Sequence, residues 1–203
     1  MELRKYQQEA KNRILVEWAS GIKKTLLVLP TGTGKTIVFA KIIEELVRRG
    51  ERVLILAHRK ELLDQAADKL SRATGLMCAV EIGGETALDS WFRVTVGSVQ
   101  TLMRDDRRAV YEPDHYNTII VDEAHHTLSD SYRKVLAYFN DAKVLGVTAT
   151  PDRGDMRDLG EVFESIAYQY SLPQAIMEGH LCKLKALTIP SNIDLSGVSQ
   201  QAG

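Results

Sequence analysis

Cysteine is nearly absent from these 203 residues. Only Cys78 and Cys182 occur, far apart and in no C-x-x-C pair, which argues against a zinc site and against a disulfide framework. No apolar stretch approaches the roughly twenty residues of a membrane span, and the opening MELRKYQQEAKN lacks the apolar core of a signal peptide. These absences lead us to expect a cytoplasmic chain without membrane contact. An excess of either charge is lacking as well. The 26 Lys and Arg against 27 Asp and Glu leave a formal net charge of -1, so a nucleic-acid partner has to be met by a local patch rather than by bulk charge. There is no internal repeat and no low-complexity block.

What the chain has is a globular balance, 44% hydrophobic and 26% charged, enough to bury the core of one domain. Short, almost wholly apolar runs at Thr25–Leu29, Val53–Ala57, Val94–Val96, Thr118–Val121 and Val144–Val147 have the pattern of strands buried on both faces. Between them apolar residues recur at helical spacing. Tyr6, Ala10, Ile14 and Trp18 form one helix face. Ile37, Ala40, Ile43, Leu46 and Val47 form a second, ended by Gly50. Leu62, Ala66 and Leu70, with Leu63 and Ala67 beside them, form a third, and YSLPQAIMEGHL at 170–181 fits a closing helix. Strands alternating with helices predict an α/β fold, a mostly parallel central sheet with helices on both faces. After about Leu187 the periodicity disappears, so we expect a domain over residues 1–187 and a linker over 188–203.

The stretch LPTGTGKT, residues 29–36, joins the first apolar run to the second helix. Gly32 and Gly34 would weaken a helix or strand interior, but in a turn they let backbone N–H groups curl around an anion. The helix N-terminus that follows favours negative charge. Thr31, Gly32, Thr33 and Gly34 are therefore expected to cradle phosphates, Lys35 to reach the outer ones and Thr36 to ligate Mg²⁺, which makes a nucleotide with Mg²⁺ the expected ligand, ATP in the family resembled below. Leu29 stands where the general G-x-x-x-x-G-K-[ST] pattern has glycine.

Such a loop needs a partner acid at the end of a neighbouring strand. TIIVDEAHH, residues 118–126, delivers Asp122 there for the metal's water shell, with Glu123 beside it to orient or deprotonate the attacking water. His125 and His126, adjacent on a loop with no further His or Cys at ligand spacing, make a poor metal pair.

GTGKT at 32–36, DEAH at 122–125 and TATP at 148–151 stand in the order and approximate spacing of superfamily 2 helicases. The chain resembles the first RecA-like motor domain of that group over nearly its whole length, and DEAHH with TATPDR resembles most the branch of phage helicases, repair helicases and ATP-driven restriction subunits. The resemblance implies a RecA-like P-loop NTPase fold and a catalytic set of Lys35, Asp122, Glu123 and His125. LRKYQ at 3–7 looks like the family's adenine-reading element, which implies Gln7 bonding the base and Arg4 lying against its ring. LAHRKELLDQ at 56–65 is similar to motif Ia and VGSVQTL at 96–102 to motif Ib, which would set His58, Arg59, Ser98, Gln100 and Thr101 against a nucleic-acid backbone. TAT at 148–150 is similar to motif III, with Thr148 and Thr150 bonding toward His125 and coupling nucleotide state to nucleic-acid grip. Plainer readings of the same residues stand beside these: Ser98 could cap a helix, Arg59 with Lys60 could be a solvated face, and the threonines could satisfy their own backbone.

The family's motor uses two RecA-like domains, an arginine from the second completing the catalytic site. No second set of motifs follows Pro151. We therefore expect a second RecA-like domain of the same protein as partner, weak ATP hydrolysis by this chain alone, and a nucleic-acid partner, DNA ahead of RNA. The leading expectation is an ATP-dependent helicase or duplex translocase. A nucleotide-dependent nucleic-acid-binding switch that never separates strands is the alternative, and a P-loop small-molecule kinase is disfavoured because DEAH and TATP have no role there.

Overall fold

The structure, a computed structural model, describes residues 2–58, 60–149 and 158–183, the side chains of 60–64 excepted. Arg59, Thr150 and the expected linker over 188–203 lie outside the described residues.

Each apolar run identified above forms a strand. They are β1 (Lys24–Val28), β2 (Val53–Ala57), β4 (Val94–Ser98), β5 (Thr118–Asp122) and β6 (Lys143–Thr148), and two further strands, β3 (Cys78–Glu81) and β7 (Ser165–Gln169), complete the sheet. The seven strands lie in the order β3-β4-β2-β5-β6-β1-β7, every pairing parallel. The two strands not read from the sequence are the two edges. A central strand such as β2 is buried along its whole length and reads as a continuous apolar run, whereas β3 alternates half-exposed with buried positions over four residues and β7 buries only Ala167 and Tyr168 of its five.

Parallel strands require crossovers, and most of these carry helices here, whereas β3 passes to β4 through residues 82–93 without one. On one face lie α1 (Lys5–Ala19), α2 (Lys35–Arg48) and α3 (Lys60–Thr74), which enclose a core of Ile14, Phe39, Ile43, Leu46 and Leu70 against the sheet. The opposite face is covered by α4 (Val99–Leu102) and α6 (Asp130–Tyr138), with the short α5 (Asp105–Arg108) beside α4, over Leu102, Tyr132, Val135 and Phe139. Burying one such side chain contributes about 1.5–3 kcal/mol. The closing helix α7 (Leu172–Met177) is shorter than the stretch that suggested it, and starts where Ser171 accepts a hydrogen bond from the Gln174 N–H at 3.2 Å.

This topology brings β1 and β5, with β6 between them, together at the centre of the sheet, so the loop after β1 and the acids at the end of β5 open on the same carboxyl edge. Gly146 on β6 keeps that centre closed, since a Cβ there would stand 2.4 Å from Phe163 and 2.7 Å from Leu26.

Candidate functional site

Gly32 and Gly34 both take left-handed backbone angles, φ 86° and 85°, which an L side chain would strain. The turn they make leads directly into α2, whose first residues are Lys35 and Thr36. Thr33 is buried, and its hydroxyl donates to the Pro30 carbonyl at 2.6 Å, so this threonine braces the loop from within. Thr31, Gly32, Gly34, Lys35 and Thr36 line one wall of a cleft of about 520 Å³, and Asp122 with Glu123 lie across it. A larger depression of about 890 Å³ along α1 and β7 carries none of the phosphate-loop residues.

Asp122 ends β5, and its carboxyl is held above the usual carboxylate range, first by burial and then by the neighbouring Glu123 charge, against which Lys35 and Lys69 act. Glu123 is the one non-glycine with a left-handed backbone among the described residues, φ 58°, a conformation that costs about 1–2 kcal/mol. That turn starts a short 3-10 helix, Ala124–Leu128, and sets the Glu123 carboxylate 4.0 Å from the Lys35 ammonium. His125 Nδ1 lies 3.7 Å from the other oxygen of Glu123. The four residues expected to act in catalysis thus come together. Thr148, at the end of β6, is buried, and its carbonyl accepts from the Leu29 N–H at 3.0 Å, which ties β6 to the phosphate loop. Among the described residues Thr148 makes no hydrogen bond to His125, and Thr150 lies outside them.

The LRKYQ segment, expected to read adenine, packs against the phosphate loop. Gln7 is buried, donating from Nε2 to the Thr33 carbonyl at 2.9 Å and accepting at Oε1 from the Arg4 N–H at 2.9 Å. Tyr6 donates its hydroxyl to the same Thr33 carbonyl at 2.6 Å and stacks on Tyr170, ring centroids 4.4 Å apart. Gly34 is glycine for this reason too, since a Cβ there would stand 2.6 Å from the Gln7 amide nitrogen. The Arg4 guanidinium is exposed and lies 3.3 Å from His180 Nδ1. Neither Arg4 nor Gln7 lines the phosphate cleft.

A second set of polar groups gathers beside it. Gln100 reaches from the start of α4 to the His58 ring nitrogen at 3.0 Å, and Ser98 donates to Gln100 Oε1 at 2.9 Å. Ser98 sits at the helix cap position without capping it. His58 also lies face to face with His126, ring centroids 5.6 Å apart, so the end of β2 touches the loop after β5. Thr101 is turned inward, where its hydroxyl accepts from the Gly83 N–H at 3.0 Å. Of the five residues expected on nucleic acid, His58 and Gln100 share an exposed position, Ser98 supports them, Thr101 braces a turn, and Arg59 is outside the described residues.

Three contributors had no signal of their own in the sequence. Tyr6 read only as part of a buried helix face. Lys69 and Arg72 stand in no motif, yet both line the cleft with the phosphate-loop residues.

The first 153 residues match the family described as type III restriction enzyme, res subunit. IRC3 of Saccharomyces cerevisiae, provisionally named an ATP-dependent helicase, is 35% identical over 98% of this chain and 31% of its own length. The EcoAI type I restriction enzyme endonuclease subunit of Escherichia coli is 30% identical over 96% of this chain and 25% of its own. The helicase domain of Pyrococcus furiosus Hef superposes with a TM-score of 0.67 at 25% identity, covering 82% of this chain and 38% of that one. The chain thus spans about a third or less of the curated relatives it matches. Among the described residues no helix is long and apolar enough to cross a membrane. With its parallel sheet, its phosphate loop and its acid pair on one edge, the chain belongs to the type III restriction enzyme res subunit family and is a first RecA-like domain of superfamily 2.

Proposed function

We propose that this domain binds and hydrolyses ATP with Mg²⁺ as the first motor domain of an ATP-dependent helicase or duplex translocase. The observation that carries the reading is the meeting of Lys35 and Thr36, at the start of α2, with Asp122 and Glu123 across one cleft. The N–H groups of the glycine turn and the α2 dipole would hold the phosphates, and Lys35 would leave Glu123 to reach the outer ones. Thr36 and Asp122 would hold the metal, which supplies charge neutralisation on the phosphate oxygens; the half-buried Asp122 carboxylate fits a cation, because a positive charge offsets the penalty of its burial. Glu123 would then orient the attacking water and accept its proton, with His125 steadying it.

The weak intrinsic turnover expected of one RecA-like domain follows from the missing transition-state cation, which a second such domain of the same protein would provide. The exposed His58–Gln100 pair, supported by Ser98, is the surface we assign to a nucleic-acid backbone, DNA ahead of RNA. Titration of the chain with ATP tests the site: Lys35→Ala should lose most nucleotide affinity, whereas Glu123→Gln should keep binding and abolish turnover. If both variants bind ATP as tightly as wild type, the site is wrong.

A further inference from the structure

A smaller inner chamber of about 200 Å³ adjoins the phosphate cleft and reaches back to Ala57, His58 and His126. Four residues border both spaces: Thr36, Asp122, Glu123 and Lys69. The first three are the metal and water-activating group, so the position they mark is the outer-phosphate end of the site, away from Arg4 and Gln7. Lys69 comes from a different element, the third turn of α3, and lines both spaces.

The cations of the cleft differ in how they are engaged. Lys35 faces Glu123, and Arg72 is held by Asp68 at 2.9 Å one helical turn away. Lys69 has no ion-pair partner among the described residues, and its charge is felt at Asp122. The Asp122 carboxylate that now feels the Lys69 charge is the one expected to face the metal, and when a cation takes it up the Lys69 ammonium is left to an anion. A γ-phosphate is such an anion, and it adds two to three strong acceptor oxygens at the point where Lys69 can reach.

We propose that Lys69 is a second phosphate-binding cation, which contacts the terminal phosphate and lets this domain distinguish the triphosphate from the diphosphate. The inference rests on the nucleotide reading of the cleft and adds to it a residue outside the phosphate loop and the acid pair. Because the contact is made only when the third phosphate is present, its loss should fall on ATP and spare ADP. Lysine suits this role as a compact charge on a flexible stem, able to follow a group that departs after hydrolysis.

The test is calorimetric titration of the 203-residue chain with Mg²⁺ and either a non-hydrolysable ATP analogue or ADP, for wild type, Lys69→Gln, Lys35→Ala and the exposed control Lys134→Gln. Lys69→Gln is expected to bind the triphosphate analogue about tenfold more weakly, the loss of one charge-assisted contact, and to bind ADP within about twofold of wild type. Lys134→Gln should match wild type for both. Equal weakening for both nucleotides, or no change for either while Lys35→Ala loses binding, overturns the role of Lys69 and leaves the nucleotide site standing. Wild-type binding by Lys35→Ala would instead overturn the nucleotide reading and this inference with it.

Discussion

The amide of Gln7 donates to the carbonyl oxygen of Thr33 at 2.9 Å, which fastens the first helix to the phosphate loop. Removing it leaves the Thr33 carbonyl to Tyr6 alone and opens space beside Gly34. Gln7→Ala should therefore weaken ATP and GTP alike, by roughly fivefold for one lost hydrogen bond of about 1 kcal/mol. Parallel titrations with the two nucleotides decide it. A loss confined to ATP would make Gln7 a reader of the base instead of a brace for the loop.

Asp122 links stability to pH in the unusual direction. Its folded pKa is raised by burial and by Glu123, so the native state holds this proton more tightly than the unfolded chain does. Its contribution to the stability of the nucleotide-free chain is therefore present at low pH and lost as pH rises through the carboxylate range. Asp122→Asn keeps an oxygen for the Glu123 N–H, now accepted at 3.1 Å, and removes the charge. At pH 7 the variant should melt above wild type, with the gap closing on acidification, while Mg²⁺-dependent nucleotide binding weakens. Thermal melts from pH 3 to pH 8 would contradict this if wild type were the more stable at neutral pH.

Glu81 organises the turn beside Thr101, whose hydroxyl accepts from the Gly83 N–H. Its fully buried carboxylate accepts from Thr86 Oγ1 at 3.0 Å and from the Ala87 N–H at 2.9 Å, and it pairs with Arg107 and the Tyr111 hydroxyl. Burial and this carboxylate push the Tyr111 phenol up to about 12. Truncation leaves donors on several elements without an acceptor, so Glu81→Ala should destabilise the chain by about 3 kcal/mol. Urea denaturation measures it, and a loss under 1 kcal/mol would mean that the network closes around the gap.

The His58–Gln100 pair gives a prediction about salt. Gln100 carries no charge, so Gln100→Ala should weaken single-stranded DNA binding severalfold without changing the slope of log affinity against log salt concentration. Fluorescence anisotropy across a salt series tests this. An altered slope would show that the substitution had displaced a cation rather than removed a direct polar contact.

Much of the central sheet was legible because strands buried on both faces must be almost wholly apolar, and the runs from Thr25, Val53, Thr118 and Val144 are so. The edge strands β3 and β7 were not, since half or more of each lies at least partly exposed and four or five residues are too few for a pattern that separates a strand from a loop. The phosphate loop and the acid pair were also legible, because phosphate binding demands glycine backbone, one lysine, one hydroxyl and carboxylates at fixed local spacing.

Sequence alone therefore determined the fold class and located the candidate phosphate loop and acid pair, which lie in contiguous residues. Tertiary structure decided what depends on residues far apart in the chain. It turned Gln7 and Tyr6 into braces of the loop 26 and 27 residues later, since both bond the Thr33 carbonyl. It turned Thr101 inward and set His58 against His126. It also carried Lys69 from the side of a charged helix to the cleft beside Asp122. The physical reason is that a short motif fixes only the backbone it is written on, while the direction of a side chain on α1, α3 or α4 is set by how that helix packs across the parallel sheet.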